Sequence, residues 1–127
     1  HAIGHALGGV CRVPHGDAMT ILLPHCMQFN LDVLGQLYGR LYLHLGSYEA
    51  FISAKVEDYG QLSIQAVRDM TARYHDFCGL PVTLSQAGVK REDFEAVART
   101  ALNDGAMIVN PKQVTFDDVM AILDAAY

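Results

Sequence analysis

Apolar residues recur at steps of three and four along almost the whole chain, and no stretch alternates with a period of two for long. This spacing predicts an all-α helical bundle of about six to eight helices. A long amphipathic helix is expected over 61–78, with inward positions Leu62, Ile64, Val67, Met70 and Tyr74. The segment 106–111, AMIVNP, is the one short strand candidate.

Glycine and proline mark the expected helix ends. The predicted stops are Gly8-Gly9, Gly46, Gly79 and Gly105. One helix is expected over 16–34, bent at Pro24, and another over 35–45. The apolar stripe of the first comprises Ala18, Ile21, Leu22, Cys26 and Phe29, and that of the second Leu34, Leu37, Tyr38, Leu41, Tyr42 and Leu45. Thr115, with Asp118 three residues later, predicts the capped start of the last helix.

Composition narrows the class of protein. The 127 residues are enough for one domain, and 51% of them are apolar, so a true core is expected. The net charge of -5 and the lack of a Lys/Arg cluster argue against nucleic-acid binding. No apolar run is long enough to span a membrane, and no signal peptide is recognisable.

Three cysteines without CxxC spacing predict reduced, mostly buried thiols and a reducing compartment, which favours the cytoplasm. The chain opens on His1 within a helical pattern, so we expect a piece of a longer polypeptide whose last helix ends near a true C-terminus at Tyr127. The high apolar fraction also predicts a face that packs against an absent domain or a second subunit, and a homodimer is one such arrangement.

Three histidines stand out in the opening stretch. His1 and His5 are four residues apart, which places both imidazoles on one helix face with their Cβ atoms roughly 6 Å apart. His15 follows at the start of the next helix, where the positive end of the dipole favours the neutral, metal-binding imidazole. These residues either bind one metal ion together, or one of them binds the ion while another faces a substrate. Asp17, the one nearby acid, is equally explained by the helix start.

The other histidines have no partner at ligand spacing, so structural or surface roles are expected. His25 follows Pro24 and is suited to bond the backbone that the proline frees, His44 lies near a helix C-terminus, and His75 lies beside charged neighbours. A catalytic ion normally takes three or four protein ligands, so further ligands are expected from outside these residues.

The stretch HAIGHALGGVCRVPHGDAMTILLPHCMQFN resembles the second signature of the iron-containing (group III) alcohol dehydrogenases. That pattern joins His-x-x-x-His-x-Leu-Gly to Pro-His-Gly and to an Ala-x-x-Ile-Leu-Leu-Pro-His helix. The segments 78–94 and 110–123 resemble the family's last helices. The likeness covers essentially the whole chain, more loosely over 31–76.

The resemblance implies a fold and a metal site. Residues 1–127 correspond to the C-terminal, all-α, metal-binding domain of the dehydroquinate synthase-like and iron-containing alcohol dehydrogenases, without the N-terminal α/β domain that binds NAD or NADP. His1 and His15 match two of the family's four ligands to Fe²⁺ or Zn²⁺, and the other two, an Asp and a His, lie upstream. His5 matches a histidine beside the metal and nicotinamide that is not a ligand, and a role as proton relay is favoured over a role in shaping the pocket.

These implications predict part of an enzyme that interconverts a small alcohol and its aldehyde or ketone, with this part inactive alone and binding metal weakly at most. Two other classes compete with this interpretation. A non-catalytic helical interaction module would keep the fold without the chemistry. An unrelated metal-dependent hydrolase would require further acidic ligands within this chain, and none has suitable spacing.

Overall fold

The computed structural model describes residues 1–127, and every regular element in it is helical. The α-helices are α1 (Ala2–Cys11), α2 (His15–Phe29), α3 (Leu31–Leu45), α4 (Tyr48–Ser53), α5 (Tyr59–Cys78), α6 (Phe94–Leu102) and α7 (Phe116–Ala125). Short 3₁₀ helices cover Val56–Asp58, Arg91–Asp93 and Gly105–Val109. The all-α prediction is confirmed, and the strand candidate at 106–111 is wrong because most of it forms the third 3₁₀ helix. No helix here combines the length and the apolar character that crossing a bilayer requires.

Helices α1, α2, α6 and α7 enclose the main core, which contains 17 buried residues. Phe94, Leu7 and Leu123 are among its fully enclosed large side chains. Burial of each such side chain stabilises the fold by roughly 1.5–3 kcal/mol. The main core therefore fixes α1 and the first part of α2, the two elements that carry the three opening histidines.

A much smaller core lies between α5 and α2, formed by Met27, Ile64 and Val67, and Leu31 and Tyr38 of α3 pack against it. Helices α3 and α5 pack side by side. The backbones approach closely at Gly60, where an added Cβ would lie 2.9 Å from the carbonyl oxygen of Gly35. Glycine is required at that position because any larger residue would push the two helices apart.

The apolar stripe predicted on α3 is buried or half-buried at three of its six positions, Leu34, Tyr38 and Tyr42, and exposed at the other three. Leu37 is 54% exposed, Leu41 and Leu45 are exposed too, and the buried positions of this helix are Gly39 and Tyr42. On α5, Ile64 and Val67 are buried as predicted, whereas Tyr74 and the nearby Phe77 are exposed. Helical spacing identified the apolar faces of α3 and α5, but these exposed side chains are not covered by any other part of the chain.

Two predicted helix boundaries are also wrong. Helix α1 passes through Gly8 and Gly9 and ends at Cys11, since Arg12 adopts the left-handed conformation (φ 60°) that glycine usually takes. The helix expected over 16–34 is interrupted at Asn30, between α2 and α3. Asn30 is buried, and its side-chain amide exchanges two hydrogen bonds with that of Asn110, at 2.9 and 3.1 Å.

The start of α7 is confirmed as a capping box. The Thr115 hydroxyl accepts a hydrogen bond from the Asp118 N–H, and the Asp118 carboxylate accepts one from the Thr115 N–H. All three cysteines are unpaired, as predicted, but they are less buried than expected: Cys11 and Cys26 are half-buried and Cys78 is exposed.

Candidate metal and catalytic site

His1, His5 and His15 converge on one exposed patch of the surface. His1 immediately precedes α1, His5 lies one turn further on, and His15 is the first residue of α2. Their ring centroids form a nearly equilateral triangle with sides of 5.5, 5.5 and 5.8 Å. The structure thus brings together all three residues that the sequence singled out.

The turn between α1 and α2 folds His15 back toward His1. The N–H of Arg12 donates to the carbonyl of Gly8 at 3.2 Å, and the N–H of Val13 donates to that of Leu7 at 3.3 Å. Val13 is buried in the main core, which holds this turn in place, and Pro14 then sets the entry into α2. The position of His15 therefore depends on core packing as well as on local backbone geometry.

The donor set suits a divalent transition metal. Each histidine offers one ring nitrogen, and these three nitrogens lie within 4.8 Å of one another. Imidazole is a good ligand for both Fe²⁺ and Zn²⁺. Two nitrogens bound to one ion at about 2.1 Å are at most about 4.2 Å apart, so only small rotations of the rings are needed. The residues present therefore fit a metal, and the exposure of the cluster leaves room for ligands from elsewhere.

Asp104 is a fourth member of the cluster that the sequence did not indicate. Its Oδ2 accepts a hydrogen bond from Nδ1 of His5 at 2.9 Å, although 99 positions separate the two residues. Its Oδ1 accepts the Ala106 N–H at 2.7 Å at the start of the third 3₁₀ helix. These two hydrogen bonds, first that from Ala106 and then that from His5, hold the pKa of Asp104 below its ordinary value. Asp17 lies in the first turn of α2.

The remaining histidines are not part of the cluster. Nδ1 of His75 lies 2.8 Å from the carbonyl oxygen of Leu80 and must donate to it. His44 lies in the exposed last turn of α3. His25 is half-buried in a cleft with Arg68, and burial, then the nearby guanidinium, lowers its pKa. Its ring makes no side-chain hydrogen bond, so the predicted bond to the backbone freed by Pro24 is not formed.

Cavity size does not identify this site. A groove of about 1150 Å³ lies between α3 and α5 and contains none of the three clustered histidines. A cavity of about 80 Å³ opens beside His1, and its lining is mainly apolar, including Ile3 and Met107. The chemistry of the side chains, rather than volume, marks the candidate site.

Comparisons with known proteins agree on one family. The model of the Fe-containing alcohol dehydrogenase family, C-terminal, matches residues 1–127. The chain is 34% identical over 129 residues to alcohol dehydrogenase 4 of Saccharomyces cerevisiae, covering 100% of this chain and 31% of that protein. It is 29% identical over 126 residues to the NAD-dependent methanol dehydrogenase of Bacillus methanolicus, covering 99% of this chain and 32% of that protein.

The fold agrees with the sequence match. A crystal structure of a 1,3-propanediol oxidoreductase superposes with a TM-score of 0.86 at 31% identity, covering 100% of this chain and 32% of the other. The chain thus spans about a third of the length of the relatives that it matches. Both the sequence and the helical architecture match the C-terminal part of one family over the whole length of the chain. The chain therefore belongs to the iron-containing alcohol dehydrogenase family.

Proposed function

We propose that residues 1–127 form the C-terminal metal-binding domain of a metal- and NAD(P)-dependent alcohol dehydrogenase that interconverts a small alcohol and its aldehyde or ketone. The observation that carries this proposal is the convergence of His1, His5 and His15 within 4.8 Å. Three imidazoles meet on one exposed patch, and membership in a family of iron-containing enzymes supplies a reason for this arrangement, namely metal binding.

In this proposal His1 and His15 are ligands of Fe²⁺ or Zn²⁺, and two further ligands come from an upstream segment. The bound ion would act as a Lewis acid, lowering the pKa of the substrate hydroxyl or polarising the carbonyl. This chain contributes two imidazoles whose backbone positions, at the entry to α1 and at the first residue of α2, are set by helices that the main core holds. By itself the domain has only part of the ligand set, so it is expected to be inactive.

His5 is proposed as the group that moves a proton. It lies beside both proposed ligands and its ring is partly open to water, which suits a general acid/base that exchanges protons with solvent. An imidazole is effective in this role near neutral pH because it can take up and release a proton there. A role limited to shaping the pocket is the weaker alternative.

The remaining partners of the proposal lie outside this chain. NAD or NADP would be bound mainly by an N-terminal α/β domain, and a relative named as NAD-dependent favours a nicotinamide cofactor. The exposed apolar residues of α3 and α5 are available to pack on that domain or on a second subunit, and unpaired cysteines favour a reducing, cytoplasmic setting.

The proposal is tested on an enzyme form in which this chain follows its upstream segment. Metal content is measured together with NAD(P)H-dependent reduction of small aldehydes and ketones. His15→Ala should remove bound metal and turnover while helical content stays at the wild-type level, because His15 is exposed and outside the core.

The matched control is His25→Ala, which removes a half-buried histidine ten residues further along α2 than His15 and outside the cluster. It should lower stability and leave metal content unchanged. Retained metal and turnover in His15→Ala would refute the ligand assignment, and absence of turnover in the wild-type enzyme with every small carbonyl tested would refute the proposed activity.

A further inference from the structure

The carboxylate of Asp104 is held in place from one side and directed at His5 from the other. Asp104 lies between α6 and the third 3₁₀ helix, and the packing of α1 on α6 brings it to His5. Oδ1 accepts the Ala106 N–H at 2.7 Å, which fixes the carboxylate, and Oδ2 meets Nδ1 of His5 at 2.9 Å. Each oxygen therefore has a separate partner.

This arrangement dictates which nitrogen of His5 carries the proton. An ionised carboxylate can only accept hydrogen bonds, whereas a neutral imidazole has one N–H and one acceptor nitrogen. Nδ1 must therefore be the donor and Nε2 must keep its lone pair. Burial does not force this choice, since the His5 side chain is 46% exposed and either nitrogen could otherwise bind water.

We propose that Asp104 is a positioning residue that holds neutral His5 in its Nδ1–H tautomer, so that the ring presents the lone pair of Nε2 to the site. The inference rests on the proposed function for the role of His5, although the tautomer itself is a property of this chain alone. It adds to the cluster a residue that no spacing rule connects to the histidines.

The proton step that follows is simple. In alcohol oxidation the substrate O–H bond breaks, its electron pair stays on oxygen, and an Nε2–H bond forms on His5. The resulting imidazolium keeps its Nδ1–H bond to the Asp104 carboxylate, which stabilises the positive charge. Nε2 then releases its proton to water, and the ring returns to the starting tautomer. Carbonyl reduction uses the same steps in reverse.

Asp104→Asn is the informative substitution because it keeps the shape of the side chain. The amide oxygen should remain on the Ala106 N–H, since the opposite orientation would set two donors against each other. The amide NH₂ must then face Nδ1 of His5 and donate to it. The variant is thus expected to invert the tautomer to Nε2–H while preserving the cap of the 3₁₀ helix.

The experiment uses the ¹⁵N-labelled 127-residue chain at alkaline pH, where the imidazoles are neutral, without added metal or cofactor. Long-range ¹H–¹⁵N correlations report which ring nitrogen is protonated. His75 serves as an internal reference, because its bond to the Leu80 carbonyl demands an Nδ1–H tautomer in every variant. Asp17→Asn is the matched control, a carboxylate-to-amide change in the first turn of α2.

Wild type and Asp17→Asn should show His5 as Nδ1–H, favoured about tenfold or more, as expected for a hydrogen bond to a charged group. Asp104→Asn should show Nε2–H in its place. An Nε2–H tautomer in the wild type, or no change in Asp104→Asn, would overturn the proposal. Neither result depends on metal or turnover, so a failure of the proposed function would appear separately, in the assays of the longer enzyme form.

Discussion

The two halves of this domain are built from similar helices but packed very differently. Helices α1, α2, α6 and α7 share a core of 17 buried residues, whereas the core to which α5 contributes, together with α2, contains three, and α3 adds only partly buried side chains to it. Large apolar side chains on the second half, such as Leu37 and Phe77, are exposed instead. The histidine cluster lies entirely on the well-packed half.

This difference matches what each half is proposed to do. A metal site needs ligands that are held in place, and the main core holds the helices that position the proposed ligands His1 and His15. The α3–α5 half exposes several large apolar side chains, which are available to pack on another domain or subunit as proposed.

The largest expected effect contrasts one core residue from the first half with one surface residue from the second. Phe94→Ala should lower the free energy of unfolding by about 3–5 kcal/mol, since Phe94 is 2% exposed in the main core. Leu37→Ala should change it by less than about 0.5 kcal/mol, because Leu37 is 54% exposed. Urea denaturation followed by circular dichroism measures both. Similar losses for the two variants would mean that the α3 face is covered in the isolated chain.

A smaller effect tests the close contact of α3 with α5. Gly60→Ala should destabilise the domain by about 1–3 kcal/mol, because the new methyl group would lie 2.9 Å from the Gly35 carbonyl oxygen. Gly9→Ala is the control, as nothing lies within 4 Å of its added Cβ in α1. It should stabilise the domain by up to about 1 kcal/mol through helix propensity. Denaturation midpoints report both values, and a stabilising Gly60→Ala would show that the two helices are not held this closely.

The smallest effect concerns pH dependence at the start of α7. Hydrogen bonds from the Thr115 side chain and then its backbone N–H lower the pKa of Asp118. A carboxyl with a depressed folded-state pKa stabilises the fold above its unfolded-state pKa, and this contribution is lost as pH falls through the folded-state value. Asp118→Ala should therefore cost about 1 kcal/mol at pH 7, with the difference from wild type shrinking in acid.

Asp117→Ala is the matched control for that variant, since Asp117 shares the first turn of α7 but takes no part in the capping box. Its cost should be smaller than that of Asp118→Ala at pH 7. A cost for Asp118→Ala that stayed constant from pH 7 into the acid range would contradict the assigned role of the ionised carboxylate.

The residues that sequence reasoning placed correctly are those whose positions depend on local spacing. His1 and His5 share a face because they are four residues apart, and Thr115 caps α7 because Asp118 follows at the right distance. Asp104 could not be found in this way, because only the packing of distant helices brings it to His5. The end of α1 was missed because core burial of Val13 favours a left-handed Arg12 over a stop at Gly8-Gly9.

The exposed apolar face of α3 shows a second limit of prediction from hydrophobic periodicity. Periodicity correctly indicated an apolar stripe at positions such as Leu37 and Leu41, but it cannot say whether the partner of that stripe lies within the same chain. Asn30 illustrates the same point on a smaller scale. Its buried pairing with Asn110 interrupts a helix that spacing alone would continue.

The most direct test of a shared cation is a Zn²⁺ titration of the N-terminally acetylated 127-residue chain, followed through the imidazole NMR signals. Acetylation removes the α-amino group, which would otherwise chelate metal together with the His1 ring. The signals of His1 and His15 should shift together with one weak dissociation constant, and those of His25, His44 and His75 should stay unchanged. His15→Ala should abolish the response at His1. Independent binding curves for His1 and His15, or an unchanged His1 response in that variant, would contradict a common site.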